Sequence, residues 1–84
     1  MASKKDIVAG LGKLLASKGI EAPKEPYVTR FPRPQRWKLS WFDSNRQRHS
    51  IFCCFVPGYL ELIVDFKEIP ITEQEVAALG LLET

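Results

Sequence analysis

The 84-residue chain predicts an α+β fold of order α-β-β-β-α. A three-stranded antiparallel meander with a short extra edge strand is flanked by two helices packed on one face. Three observations carry this. Apolar residues recur at helical spacing only near the two ends, they alternate with polar residues from 36 to 69, and turn chemistry divides that middle stretch. The length allows a single small domain, residues 1–84, around one core. With 45% hydrophobic and 26% charged residues, the composition is globular rather than disordered.

The first helix is fully punctuated. Ser3 is a capping residue with Asp6 at the position of a capping box. Ile7, Val8, Leu11, Leu14 and Leu15 then form one apolar stripe. Gly19 suits the left-handed position after the last turn, with Ile20 placed to contact Leu15. Gly10 and Gly12 each cost about 1 kcal/mol relative to alanine, a cost that close packing at the helix would explain. Pro23, Pro26, Pro32 and Pro34 exclude a helix over residues 21–36. Tyr27–Phe31 suits an edge strand, with prolines blocking further pairing.

Three strands follow. Residues 36–42 place Trp37, Leu39 and Trp41 on one face, and Asp43-Ser44-Asn45-Arg46-Gln47 is turn chemistry. Residues 48–56 form the second strand, Pro57-Gly58 the next turn, and residues 59–69 the last strand, with Leu60, Leu62, Val64 and Phe66 on one face. Pairing Val56 with Tyr59 sets Phe55, Cys53 and Ile51 opposite Leu60, Leu62 and Val64, a continuous apolar face. An odd-length first turn adds both tryptophans to that face. An even one moves them to the other side with Phe52. The odd count buries more large side chains and is the expected register. The closing helix starts at Thr72 with Glu75 completing a second capping box. Ile71 is placed to staple onto Val76, and Val76, Leu79 and Leu81 or Leu82 form the buried side.

No nucleophile, metal set or nucleotide loop emerges. Cys53 and Cys54 are adjacent in a strand and point to opposite faces, so they cannot share a metal, and no second Cys or His pair exists. Cys53 reads as a small core hydrophobe and Cys54 as a free thiol on the other face. His49 lies four residues from Cys53, roughly 13 Å along a strand, where a catalytic pair needs about 3 Å. Glu61 and Asp65 read as a solvated strand face. Gly10-Leu11-Gly12-Lys13 lies inside a helix and lacks the spacing of a phosphate loop. Pro32-Arg33-Pro34 fits no strong proline-recognition pattern. The chain is therefore expected not to be an enzyme, with no cofactor, no metal and no small-molecule substrate. No apolar run approaches the roughly 20 residues of a membrane span. Met1–Lys5 leads into no signal-peptide core. A cytoplasmic protein without a membrane partner is expected.

The charge pattern points to binding. Residues 28–49 hold Arg30, Arg33, Arg36, Lys38, Arg46 and Arg48 against Asp43 alone, and these include every arginine in the chain. Residues 50–84 hold only Lys67 against Glu61, Asp65, Glu68, Glu73, Glu75 and Glu83. Either the two segments neutralise each other within the fold, or the basic one meets phosphates or carboxylates through planar guanidinium groups. The face opposite the core carries Arg36, Lys38, Ser40 and Phe42, then Arg48, Ser50, Phe52, Cys54 and Val56, then Tyr59, Glu61, Ile63 and Asp65. With both helices on the tryptophan side this face is uncovered. An apolar centre rimmed by charge then marks an interaction site. If one helix covers each face, or the proline-rich segment seals the second, no such site exists.

The expected function is a small binding or regulatory module of inhibitor or adaptor type, docking a protein or a nucleic acid through this basic and aromatic surface. The protein partner is unspecified and includes a second copy of the chain. Phe52, Ile63, Val56 and Tyr59 would be its desolvated centre. The alternative is direct RNA or DNA binding by the arginine-rich 30–48 segment. Arg30, Arg33, Arg36, Lys38 and Arg48 would meet phosphates, and Phe42, Phe52 or Tyr59 would stack on bases. The element order, with Pro26-Tyr27 after the first helix, is similar to that of double-stranded-RNA-binding domains. Such domains place a lysine cluster at the start of the final helix, where this chain has Thr72-Glu73-Gln74-Glu75. Their RNA contacts are therefore not carried over.

Overall fold

Helix α1 (Lys4–Ser17) begins at the expected cap. Ser3 Oγ accepts from the Asp6 N–H at 3.2 Å, and Asp6 Oδ2 accepts from the Ser3 N–H at 3.0 Å. It ends in a Schellman stop: Gly19 has φ +75°, and the Gly19 and Ile20 N–H groups donate to the Ala16 and Leu15 carbonyls. The computed structural model describes residues 3–32 and 35–83.

Strands β1 (Tyr27–Phe31), β2 (Arg36–Phe42), β3 (Arg48–Val56), β4 (Tyr59–Val64) and β5 (Lys67–Glu68) form one antiparallel sheet in sequential order, followed by α2 (Glu73–Ala78). The fold is α+β, helix then meander then helix. The anticipated edge strand is β1. The β3–β4 register is the one expected, with Ile51, Cys53 and Phe55 opposite Val64, Leu62 and Leu60. Between β2 and β3, Phe42 pairs with Arg48 across the five residues 43–47, so the turn is odd and Trp37 joins the Cys53 face. Both helices cover that face. Ile7, Leu11, Leu14 and Leu15 of α1, Val76 of α2 and Leu81 share one core with Trp37, Leu39, Ile51, Cys53, Phe55 and Leu62.

Three expectations need correction. The last strand is not continuous to residue 69. Asp65 and Phe66 form a two-residue turn with φ +48° and +69°, and Phe66 is 86% exposed rather than part of the core. Asp65 is held there by β3: its N–H donates to Ser50 O, and its Oδ1 accepts from the Ser50 N–H. The closing helix is shorter than its apolar pattern. Gly80, at φ +71°, ends it in a second Schellman stop with Leu81 N–H on Val76 O, so Leu81 is buried from beyond the helix. Cys54 lies on the second face but is fully buried. Its thiol donates to Gln35 O at 3.4 Å, and Gln35 in turn meets the tail. Glu83 N–H donates to Phe55 O, a carbonyl beyond the start of β2, and Gln35 Nε2 donates to Glu83 Oε1.

The tail also explains one helix glycine. A Cβ on Gly10 would sit 2.5 Å from Leu81 Cδ2, whereas one on Gly12 would meet Ala22 Cβ at an ordinary 3.5 Å. Gly10 is the notch into which Leu81 locks. Across the helix ends, Lys18 Nζ and Glu75 Oε1 pair at 2.6 Å. The Lys18 hydrogen bond, then that from the Thr72 N–H, holds the Glu75 carboxyl below its usual range.

Candidate functional site

Because both helices lie on one side, the other side of the sheet is left open, and the register arranges it in rows. Thr29, Lys38, Phe52, Ile63 and Glu68 stand side by side across all five strands. One pleat away, Phe31 is beside Arg36 and Cys54 is beside Glu61. Towards the other end, Tyr27 pairs with Ser40, Ser40 with Ser50, and Phe42 with Arg48. Val56 and Tyr59 close the β3–β4 hairpin. Neighbours in such rows have Cβ atoms about 5 Å apart.

Arg36, Lys38, Phe42, Arg48, Phe52, Tyr59 and Ile63 thus share one face. Arg30 does not join them: it pairs with Trp37, so the alternation of β1 turns it to the helix side. Arg33 lies outside the described residues. Two exposed aromatics absent from the expected set belong to this face, Tyr27 at 84% and Phe31 at 41% exposed. Their signal was the alternation in YVTRF, which becomes informative only once β1 is known to pair with β2.

The apolar centre is half-buried. Phe52 and Ile63 are partly exposed, and Lys38 Nζ stands 5.4 Å from the centroid of the Phe52 ring, within cation–π reach. Beside them a hollow of about 280 Å³ is lined by Phe31, Arg36, Phe52, Glu61 and Ile63, with Trp37 and Cys53 at its base. His49 pairs with Asp65 across the basic and acidic segments, but four of the basic side chains make no such pair. The ion pairs among the described residues join Lys18 to Glu75 and His49 to Asp43 and Asp65. Arg36, Lys38, Arg46 and Arg48 take part in none. Glu61, half-buried, is likewise in no hydrogen bond or ion pair among the described residues.

A second polar cluster sits at the sheet end, on the helix side. His49 Nε2 lies 2.8 Å from Asp43 Oδ2 and His49 Nδ1 lies 2.8 Å from Asp65 Oδ2, while the ring stacks on Trp41 at 5.5 Å between centroids. A neutral imidazole has one donor, so two carboxylate partners favour the imidazolium. The Asp43 hydrogen bond, then that of Asp65, raises the His49 pKa. Asp43 is lowered first by His49 and then by the Gln47 N–H. At Asp65 partial burial pushes upward, and the hydrogen bonds from His49 and Ser50 outweigh it. In the sequence, His49 is sixteen residues from Asp65, which alternation places within a continuous strand. Their meeting depends on the turn at 65–66. No group of His, Cys, Asp or Glu suited to a metal ion occurs among the described residues. Burial pushes the Cys53 thiol above its ordinary range and keeps it protonated.

No family model, no curated protein and no solved structure is similar to the chain in these comparisons. The likeness in element order to double-stranded-RNA-binding domains gains no support from them.

Proposed function

We propose that this protein is a non-enzymatic binding module whose open sheet face takes up single-stranded nucleic acid. One observation carries the reading: both helices pack on the Trp37 side, leaving Lys38, Phe52 and Ile63 at the centre of an uncovered face whose cations have no acidic partner. Exposed aromatics on an antiparallel sheet offer flat surfaces to unstacked bases. Each stacked base is worth about 1–3 kcal/mol. Phe31, Phe42, Tyr27 and Tyr59 are exposed on this face, and Arg36, Lys38 and Arg48 lie between them. A duplex would not present its bases to such a surface. A cytoplasmic location belongs to the same reading. No described helix is long and apolar enough to cross a membrane.

The test is the anisotropy of short labelled single strands titrated from low to physiological salt. Neutralising three phosphates gives a log–log slope of roughly −2 for a single strand. Phe42→Ala removes an exposed ring and should weaken binding at least about fivefold while leaving stability unchanged. Absence of binding at low salt, or a flat salt dependence, defeats the reading.

A partner protein, of the inhibitor or adaptor kind, is the second reading, and a different feature favours it. Among the described residues, the outer edge of β1 has no neighbouring strand in the five-stranded sheet, and a sheet edge is where strand addition takes place. In that case Phe52, Ile63, Val56 and Tyr59 form the desolvated centre. A second copy of the chain in this role would appear as a mass that rises with concentration in sedimentation.

A further inference from the structure

We infer that the hollow between Phe31 and Phe52 takes an unpaired guanine, recognised by Glu61. The inference rests on the nucleic-acid reading above and names the base that reading leaves open. Glu61 puts an acidic group in the hollow itself, where a phosphate-binding face gains nothing from one; Glu68, on the same face, lies out on the β5 edge. The Glu61 carboxylate repels the backbone that Arg36, Lys38 and Arg48 attract, and no described side chain or backbone group is bonded to it. Toward a strand without 2′-hydroxyls, an acceptor-only carboxylate is useful only against base N–H groups.

The edge chemistry then selects among the bases. Guanine carries the N1–H and the N2 amino group side by side, two parallel donors that match the two oxygens of one carboxylate. Cytosine and adenine each set one amino group beside a ring-nitrogen acceptor, which repels the second oxygen. Uracil and thymine hold a single N–H between two carbonyls. Splayed single-stranded bases expose these edges for reading. The position also fits. Arg36 on β2 and Glu61 on β4 flank β3 on either side of buried Cys54, some 10 Å apart at the backbone, and both line the hollow of about 280 Å³ together with Phe31, Phe52 and Ile63. Phe31 and Phe52 supply the flat apolar walls. Arg36 is placed to meet the O6 side of the base or the adjoining phosphate.

The experiment uses the full chain and thymidine oligonucleotides carrying one central guanine, adenine, cytosine or inosine. Guanine should bind roughly 5- to 150-fold tighter than adenine or cytosine, the range for a good bidentate pair. Inosine, which keeps N1–H and lacks the 2-amino group, should fall between. Glu61→Gln should abolish the guanine preference and leave the all-thymidine strand bound as well or better, because a repulsive charge has gone. A carboxylate needed only for folding would instead weaken all four strands equally, and that result overturns the inference. Equal affinity for all central bases also overturns it while leaving the nucleic-acid reading in place. Failure of every strand to bind at low salt removes both.

Discussion

The two faces of this sheet are built from the same strands and obey opposite rules. On the helix side, Trp37, Leu39, Ile51, Phe55 and Leu62 are 0–2% exposed and share one apolar cluster. On the open side, rings of similar size stand in the surface, mixed with arginine, lysine and the carboxylates of Glu61 and Glu68. The polar alternation that solubilises a one-sided sheet thus supplies only part of the open face. The remainder, five aromatic side chains among cations, is more apolar than solubility requires. A fold of this size gains nothing from leaving such surface wet. The contrast separates residues that hold the fold from residues available for another molecule.

The largest effect should come from breaking the covered side. Phe55→Ala removes a ring that is 1% exposed and should cost about 3–5 kcal/mol, a large share of the 5–15 kcal/mol typical of a domain. Urea unfolding measures this. Phe42→Ala, 69% exposed on the other side, should change stability by less than about 0.5 kcal/mol. Similar losses from the two substitutions would erase the distinction between the faces.

The helix–tail lock gives the next contrast. Gly12→Ala should stabilise by up to about 1 kcal/mol, the helix-propensity gain. Gly10→Ala has the same gain, but its methyl group collides with buried Leu81, an overpacking cost of about 1–3 kcal/mol. The two alanines should therefore shift the urea midpoint in opposite directions or, at least, Gly10→Ala should fall clearly below Gly12→Ala. Equal midpoints would show that Leu81 does not depend on the notch.

The smallest effect concerns the His49 cluster, at the end of the sheet where the faces meet. His49 has a raised pKa, so its contribution is complete below the ordinary imidazole range and is lost as pH rises through the raised value. Asp43 and Asp65 are lowered. Their contribution is present above the ordinary carboxylate range and is lost as pH falls through the depressed values. The cluster is thus strongest between those limits. Glu21 and Lys24, from the segment after α1, line the same groove and offset each other in charge. Thermal melts of the wild type and of His49→Gln should differ most in mildly acidic buffer and converge at alkaline pH. A difference constant across pH would mean that stacking on Trp41, not charge, is what His49 contributes.

Much of the architecture was legible in local signals. Ser3 with Asp6 and Thr72 with Glu75 mark both helix starts because a cap is a contact between residues three apart. The β3–β4 register followed from alternation around Pro57-Gly58, since a one-residue slip would expose a whole apolar face. Gly80 carried the same stop signal as Gly19, but the apolar residues after it masked the end of α2. The turn at Asp65-Phe66 was not legible. Leu60, Leu62, Val64 and Phe66 alternate straight through it, and two non-glycine residues with positive φ are an uncommon turn. Phe31 and Glu61 escaped the first list of site residues because they lie thirty positions apart and on strands that do not touch.

The sequence alone determined the helix caps, the hairpin register and the sorting of apolar from charged residues onto two sides of each strand. Each of these is decided within a few bonds or by a period of two. Only the tertiary structure decided that both helices choose the same side, that the tail docks on Phe55 and Gln35, that β3 bends Asp65 back onto His49, and that Arg36 and Glu61 line one hollow. Those outcomes depend on side chains meeting across long loops, where the deciding free energy is packing and pairing between segments rather than any preference of the local chain.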